Sequence, residues 1–387
     1  MIYLDHAAAT PVDPKVLKVM LPYFSEKFAN PSSIYQFALQ NRQAIDASRK
    51  TVAKILNCKP DEIYFTGSGT ESNNWAIFGC AEANRKPNEQ PHLITSIIEH
   101  HSVLNPFEEL ERRGFKVTYL PVNELGHISL ENLTKAITKQ TVFVSIAYAN
   151  NEIGSIENIA EIGKLIKESN SKNNTKIVFH TDACQAAGAL PLNVKELNVD
   201  LMTCNGGKIY GPKGIGILYI RDGIKIVPLL YGGGQEHRQR AGTENVPNII
   251  GFAEALKIAE EMREQESKRL TKLRDELIIG LQKAIPETTL NGDPENRLPN
   301  NINLSFKNID AESLLVRLDM AGVSASAGSA CTSGALEPSH VLMAISLKSG
   351  ENIANSSIRM TLGRENTAED IKKLLKIIPP IVEELRA

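Results

Sequence analysis

The stretch NGGKIYGPKG, residues 205–214, places two lysines, Lys208 and Lys213, among four glycines ahead of the apolar run IGILYI. Glycine at this density indicates a backbone that bends sharply or lets a large group come close. A lysine in such a turn can clamp a phosphate, bond to a cofactor or carry a solvated charge. The spacing G-x-x-x-x-G-K-[ST] of a P-loop is absent, and GSGTE at 67–71 lacks the third glycine of a dinucleotide fingerprint.

Polar residues follow three predicted strands. GSGTESNN comes after IYFT, Asp182 ends the run IVFHTD, and Lys208 follows LMTCN. A glycine-rich turn with Thr70 at a helix start can seat a phosphate through backbone N–H groups. A phosphate seat, a carboxylate and a lysine are what pyridoxal phosphate requires, with the lysine forming a Schiff base and the acid keeping the pyridine nitrogen protonated. Taken singly, Thr70 can be a plain helix cap and each lysine a solvated charge, so the prediction rests on the ordered set.

The elements that must position these residues are predicted from the alternation of short β-branched or aromatic runs with amphipathic stretches. This pattern is typical of a mainly parallel sheet covered on both faces, where ligands lie beyond the carboxyl ends of the strands. A helical pattern over 249–285 leads to a second unit. We predict an α/β fold with a large cofactor-binding domain at 14–261 and a smaller α+β domain formed by 1–13 and 262–387.

Composition limits the possible partners. The chain has 387 residues, a net charge of −2 and no basic excess, so direct nucleic-acid binding is not expected. No apolar run approaches the roughly 18–20 residues of a membrane span, and MIYLDHAAAT does not resemble a signal peptide, so we expect a cytoplasmic protein. The five cysteines are widely spread without a CxxC pair, which indicates free thiols and no metal site formed by this chain alone.

Motifs along essentially the whole chain resemble those of cysteine desulfurases of the NifS/IscS type, which belong to the class-V aminotransferase-like, fold-type I pyridoxal phosphate enzymes. The resemblance implies a mainly parallel seven-stranded sheet, pyridoxal 5'-phosphate as cofactor and L-cysteine as substrate. The matching stretches are YLDHAAATPVDP, NPSS, GTESNN, EHHSV, ANNEIG, HTDACQ, GKIYGPKGIG, GGGQE, AGTENVP, NGDPENRLPNNINLSF, GSACTSG and SSIRMTLGR.

The same resemblance implies a role for individual residues. Lys208 is expected to bond to the cofactor, Asp182 to pair with its pyridine nitrogen and His100 to stack on its ring. Arg359 is expected to hold the substrate carboxylate, which suits its planar guanidinium. Thr243 is expected to reach the cofactor phosphate of the other subunit in a homodimer. The further expected cofactor contacts are Gly69, Thr70, Asn151, Gln185, Asn205 and Gly207, and the further substrate contacts are Asn30 and Asn151.

Cys331 is implied to be the sulfur-accepting nucleophile. It lies in SASAGSACTSG, a run of small residues that suits a mobile loop, at about 324–336, better than a core. Its thiolate would take sulfur from L-cysteine as a persulfide, with release of alanine. The acceptor would be a protein such as an iron–sulfur scaffold or a tRNA-thiolation enzyme, and any iron–sulfur cluster would be held by Cys331 only together with a partner.

Two departures from the family pattern affect the phosphate seat. The family usually has Ser-Gly-His-Lys or Ser-Ala-His-Lys at 205–208, so Asn205 replaces the serine and Gly207 replaces the histidine. These replacements predict weaker cofactor binding without loss of function. Ala241 likewise replaces the usual serine of Arg-Ser-Gly-Thr. Cys184 and Cys204 flank the cofactor residues, and small apolar packing is favoured over a second redox-active thiol.

Alternative functions remain open at the sequence level. A transaminase has no use for the thiol in GSACTSG, whereas a selenocysteine lyase would have the same motifs. A catalytically weak sulfur-transfer scaffold is disfavoured because both Lys208 and Cys331 are present.

Overall fold

The computed structural model describes residues 1–85, 90–327, 338–347 and 353–387. Cys331 and most of the predicted loop 324–336 therefore lie outside the described residues. The strands are β1 Ile2–Tyr3, β2 Ile63–Thr66, β3 His92–Ser96, β4 Lys116–Leu120, β5 Thr141–Ser145, β6 Val178–Asp182, β7 Leu201–Asn205, β8 Gly216–Ile220, β9 Thr288–Leu290, β10 Asn301–Phe306, β11 Val323–Ser324 and β12 Ser357–Thr361. The helices are α1 Pro14–Met20, α2 Pro22–Ser25, α3 Gln36–Leu56, α4 Gly69–Ala83, α5 His101–Arg112, α6 Leu130–Ala136, α7 Ile159–Asn173, α8 Val194–Leu197, α9 Val246–Ala284, α10 Ala311–Met320, α11 His340–Ser346 and α12 Ala368–Arg386.

Seven strands form the main sheet, in the order β2-β8-β7-β6-β5-β3-β4. The pairs from β7 to β4 are parallel, whereas β8 runs antiparallel to both of its neighbours. The predicted mainly parallel seven-stranded sheet is thus confirmed. The strands are buried on both faces because α3, α7 and the first half of α9 cover one side, while α4 and α5 cover the other.

The parallel strands end at one edge of this sheet, which explains how distant motifs converge. β6 ends at Asp182, and β7 leads into a short 3-10 turn, Gly206–Lys208. β2 lies antiparallel to the reversed β8, so its carboxyl end, followed by α4, reaches the same edge. The chemistry expected from the strand ends can therefore meet in one place.

A second core lies around the three-stranded antiparallel sheet β12-β10-β9 and is covered by α10, α12 and the second half of α9. The long helix α9 serves both cores: Ile249, Phe252 and Leu256 pack with the main sheet, whereas Leu273 and Leu277 pack with the smaller one. The domain boundaries at 13/14 and 261/262 stay a prediction. In the part of the chain that the structure describes, no helix is both long and apolar enough to cross a membrane.

Candidate active site

A cavity of about 220 Å³ opens at the carboxyl edge of the main sheet. Its lining comes from segments that are far apart in the sequence, including the amino terminus, the start of α4 and strand β12. The sequence-predicted residues in that lining are Gly69, Thr70, His100, Asn151, Asp182, Gln185, Asn205, Lys208 and Arg359. Folding therefore brings most of the predicted site together.

Helix α4 begins at this cavity. Ser68 caps it by accepting a hydrogen bond from Glu71 N at 3.0 Å, and the helical ladder starts with Ser72 N bonding to Ser68 O. The N–H groups of Gly69 and Thr70 precede that ladder, at the positive end of a 15-residue helix. A Cβ at Gly69 would lie 2.8 Å from Cys184 Sγ, so only glycine allows this close approach.

A chain of hydrogen bonds crosses the cavity wall from Asp182 to His100. Asn73 Nδ2 donates to Asp182 Oδ2 at 2.6 Å and to Ser102 Oγ at 2.8 Å. Ser102 Oγ lies 2.8 Å from His100 Nδ1, which also accepts from Ser102 N at 3.0 Å. Because Nδ1 accepts, the neutral ring carries its proton on Nε2. Burial lowers the pKa of His100, which favours this neutral form.

Lys208 reaches into the cavity, whereas Lys213 does not line it. Lys208 Nζ donates to the carbonyl oxygens of Ala7 at 2.7 Å and Ala8 at 2.6 Å. Lys213 Nζ instead donates to Thr10 O at 2.9 Å, which is consistent with a structural part in the turn. A primary amine that two carbonyls hold in a cavity also lined by Asp182 is suited to bond with an aldehyde.

Arg359 enters the cavity from strand β12 and is 2% exposed. Its Nη2 donates to Asp5 Oδ1 at 2.8 Å, and its Nη1 donates to Asn151 O at 3.2 Å. Its buried Nε has no hydrogen-bond partner among the described residues. A buried guanidinium with remaining donor capacity can receive a substrate carboxylate.

Three predicted site residues that the structure describes, Asn30, Gly207 and Thr243, are not in the lining. Asn30 and Thr243 are exposed on this chain, and Cys331 lies outside the described residues. Gly207 is buried, and its N–H donates to Asn205 Oδ1 at 3.1 Å. That bond fixes the amide of Asn205, whose Nδ2 lies 3.6 Å from the Cβ position of Gly69.

Sequence reasoning missed Asn73 and Ser102 as members of the site. Asn73 stands four residues after Gly69, so both share one face of α4 and the cavity side was predictable from that spacing. Ser102 lies within EHHSV, but nothing in the sequence shows that its hydroxyl links Asn73 to His100.

Cys184 and Cys204 lie beside residues that are expected to contact the cofactor. Burial raises the pKa of both Cys184 and Cys204, because it deprives the charged thiolate of hydration, so both thiols stay protonated. This favours packing over a redox role. Within the described ranges, no group of three or more His, Cys, Asp or Glu side chains is arranged to hold a metal ion.

Glu99 is a buried acid directly before His100. Its Oε1 accepts from Ser96 Oγ at 2.7 Å and Ala147 N at 3.0 Å, while Oε2 has no partner among the described residues. Burial raises the pKa of Glu99 to about 8, against the lowering effect of these two hydrogen bonds. The carboxyl group is therefore protonated at neutral pH.

Comparison with known proteins agrees with this geometry. The family described as Aminotransferase class-V matches residues 2–374. Cysteine desulfurase IscS of Clostridium botulinum is 48% identical over 387 residues, covering 100% of this chain and 95% of the relative. A NifS-like protein of known structure is similar with a TM-score of 0.92 and 36% identity, covering 99% of this chain and 100% of that chain. A structure of SspA in complex with cysteine is similar with a TM-score of 0.81 and 36% identity, covering 94% and 99%.

We predict that replacing Glu99 changes how stability depends on pH. In the folded protein Glu99 binds its proton up to pH about 8, but an ordinary glutamate carboxyl loses it near 4.5. Stability from this group therefore falls as pH rises between those values, because the folded state holds the extra proton. Glu99→Gln removes that dependence. The Tm difference, variant minus parent, should therefore be larger at about pH 9 than at about pH 5, by about 2 °C or more.

The matched control is Glu108→Gln, an exposed position on α5, which should leave the Tm difference flat across the same range. A flat difference for Glu99→Gln as well would contradict the assignment of a buried, protonated carboxyl.

Proposed function

Because the chain belongs to the class-V aminotransferase family, and within it to the IscS-type cysteine desulfurases, we propose that this cavity removes sulfur from L-cysteine with Lys208 and Cys331 as the reacting side chains. The observation that carries the proposal is that Lys208, Asp182 and the start of α4 line one cavity. The similar SspA binds cysteine, which supports L-cysteine as the substrate here.

The donor set of the cavity fits pyridoxal 5'-phosphate. Gly69 leaves no room for a side chain and offers a helix N-terminus to a phosphate. Asp182 has a carboxylate that can pair with a protonated pyridine nitrogen, and Asn73 and Cys184 N fix its two oxygens at 2.6 and 2.9 Å. His100, Gln185 and Asn205 would contact the ring and its substituents.

Lys208 would hold the aldehyde carbon of the cofactor. When bound, the cofactor supplies a ring that accepts the electron pair of the substrate's Cα–H bond. The neutral amine of Lys208 would be the base that takes the α-proton of L-cysteine. Its tether to the carbonyls of Ala7 and Ala8 keeps the nitrogen inside the cavity before any ligand arrives.

Arg359 would bind the carboxylate of L-cysteine. The guanidinium is already desolvated and oriented by Asp5 and by the carbonyl of Asn151, so little further ordering is needed. Asn151, in the cavity lining, lies beside the same end of the site.

Cys331 would accept the sulfur as a thiolate. A sulfur–sulfur bond forms to the substrate thiol while the Cβ–S bond breaks, and the bonding electron pair stays on the substrate carbon. That carbon takes a proton and leaves as alanine, so the sulfur is oxidised to the persulfide level while Cβ is reduced to a methyl group. The persulfide is then available to an acceptor protein such as an iron–sulfur scaffold or a tRNA-thiolation enzyme. A cytoplasmic location stays a prediction.

A homodimer is supported by the surface around α1 to α3. Phe28 and Ile34 are 68% and 103% exposed, with further exposed apolar side chains nearby. Exposed apolar side chains that lie close together are typical of an interaction site. Thr243 is exposed and does not line its own cavity, which agrees with the role that the family resemblance implies, that of completing the phosphate seat of a second copy. The other exposed apolar residues of this surface are Leu17, Leu21, Phe24, Tyr35, Phe37 and Leu39.

The function is tested by sulfide and alanine release from L-cysteine, with pyridoxal phosphate and a thiol reductant present. Equal amounts of both products are expected. Cys331→Ala should abolish sulfide release yet keep the cofactor absorption, because the thiol takes no part in holding the cofactor. Full activity of Cys331→Ala would refute the nucleophile, and alanine without sulfide would refute the reaction.

Light scattering of the 42.5 kDa chain tests the dimer. The parent should have twice the chain mass, and Phe28→Asp should lower both the dimer fraction and the affinity for pyridoxal phosphate. Met320→Asp, at an exposed position of α10, should change neither. A monomeric parent that binds the cofactor fully would contradict the shared phosphate seat.

Gly207→His should tighten cofactor binding by about two- to tenfold, the worth of one added phosphate hydrogen bond. The backbone has room, because a Cβ there would lie 3.5 Å from Lys213 Cγ and 3.8 Å from Asn205 Oδ1. Titration of the apo-protein with pyridoxal phosphate measures the effect. Gly207→Ala adds the Cβ without the donor and is the control, so equal affinity of the two variants would show that the imidazole contributes nothing.

A further inference from the structure

The side chain of Asn73 links Asp182 to the ring of His100, and the chemistry of these groups sets the direction of each hydrogen bond between them. As a carboxylate, Asp182 can only accept, so the amide of Asn73 must turn Nδ2 toward Asp182 Oδ2. The second N–H of this Nδ2 donates to Ser102 Oγ at 2.8 Å. The negative charge of Asp182 therefore fixes the first part of the chain.

Helix α5 fixes the other end of the chain. His100 is the N-cap of this helix, and its Nδ1 accepts from Ser102 N at 3.0 Å, so this nitrogen carries no proton. Ser102 Oγ lies 2.8 Å from the same Nδ1. Because this oxygen accepts from Asn73, its own hydrogen points to Nδ1. Both donors of Ser102 thus meet the lone pair of Nδ1, and the ring proton is on Nε2.

The orientation of the Asn73 amide leaves its carbonyl oxygen unused. Asn73 is 1% exposed, and its Oδ1 has no hydrogen-bond partner among the described residues. Burying an acceptor in this way is unfavourable. Turning the amide over would nevertheless be worse, because Oδ1 would then face Asp182 Oδ2 and two acceptors would repel each other. Asp182 therefore holds the amide in the one orientation that directs a donor to Ser102.

Charged and titratable groups on four elements act on the ring of His100. Burial has the largest effect and lowers the pKa of His100, whereas Asp182 on β6 raises it. Lys208 after β7, His101 on α5 and His340 on α11 each lower the pKa further. The positive end of α5 acts in the same direction, because the ring caps this helix. The hydrogen-bonded chain therefore supports a neutral ring against the pull of the nearby carboxylate.

We propose that Asn73 is a positioning residue that acts through Ser102 to keep His100 as the neutral tautomer with its proton on Nε2. In this form the ring can donate from Nε2, but the lone pair of Nδ1 is already engaged. His100 therefore cannot take the α-proton of L-cysteine, and that step is left to Lys208. The inference rests on the proposed function, because it divides the roles of two side chains in that reaction.

NMR of the cofactor-loaded protein, with nitrogen-15 in the histidine rings, measures the tautomer and the titration of His100. Its signals among the eight histidines are identified by their loss in His100→Gln. The parent should show the Nε2–H tautomer and a titration midpoint below the ordinary value of 6.5. Asn73→Ala should raise that midpoint by at least about half a pH unit, because the hydroxyl of Ser102 can then turn away from Nδ1.

Asn74→Ala is the matched control. The side chain of Asn74 follows Asn73 on α4 and donates to the backbone oxygens of Thr70 and Ser102, at 2.9 and 3.3 Å, rather than to the Ser102 hydroxyl. Its removal should leave the titration of His100 unchanged. Ser102→Ala removes the link itself and should raise the midpoint as Asn73→Ala does. In the double variant the shift should be smaller than the sum of the two single shifts, because both changes break the same chain.

An Nδ1–H tautomer in the parent, or an unchanged midpoint in Asn73→Ala, would overturn the inference. Equal shifts in Asn73→Ala and Asn74→Ala would also overturn it, since they would mark a loosened helix, and fully additive shifts would show two independent effects. If Asn73→Ala does not fold, the tautomer of the parent and the midpoint of Ser102→Ala decide the question. A parent that has the expected tautomer but releases no sulfide would instead refute the proposed function.

Discussion

The parallel register of β6 with β7 is the constraint on which the site depends. Asp182 pairs with Thr203, so β7 continues two residues beyond it and the following turn brings Lys208 back to the cavity. A slip of one residue would turn every side chain of β7 to the opposite face. Both faces of these strands are buried, which makes such a slip costly and fixes the acid and the lysine in one place.

The amino-terminal segment 4–10 joins this edge of the sheet to the smaller core. The carbonyls of Ala7 and Ala8 hold Lys208, while Ala7 N donates to Thr361 Oγ1 at 2.9 Å and Asp5 pairs with Arg359. One short stretch of backbone therefore sets the distance between Lys208 and Arg359, which lie at two ends of the cavity. In the proposed reaction this spacing sets where the α-carbon and the carboxylate of L-cysteine lie.

The sequence was sufficient to predict the sheet and the residues at its strand ends, because periodicity and strand-end position are local properties. It could not predict the bonds from Asn73 to Ser102, or from Asp5 to Arg359 across 354 positions, because these depend on how separate elements pack. Glu99 looks like an ordinary polar residue until its burial is known. The resemblance placed Asn30 and Thr243 in the site, yet both are exposed on this chain, and their roles stay predictions.

The most direct test of the account is borohydride reduction of the cofactor-loaded protein, followed by digestion and mass spectrometry. The turn 205–214 contains two lysines, and the geometry assigns the covalent bond to only one of them. A pyridoxyl label on Lys208, with Lys213 unmodified, is the predicted result. A label on Lys213 or on a lysine outside this turn would contradict the assignment of the cavity, of Lys208 and of the chemistry built on both.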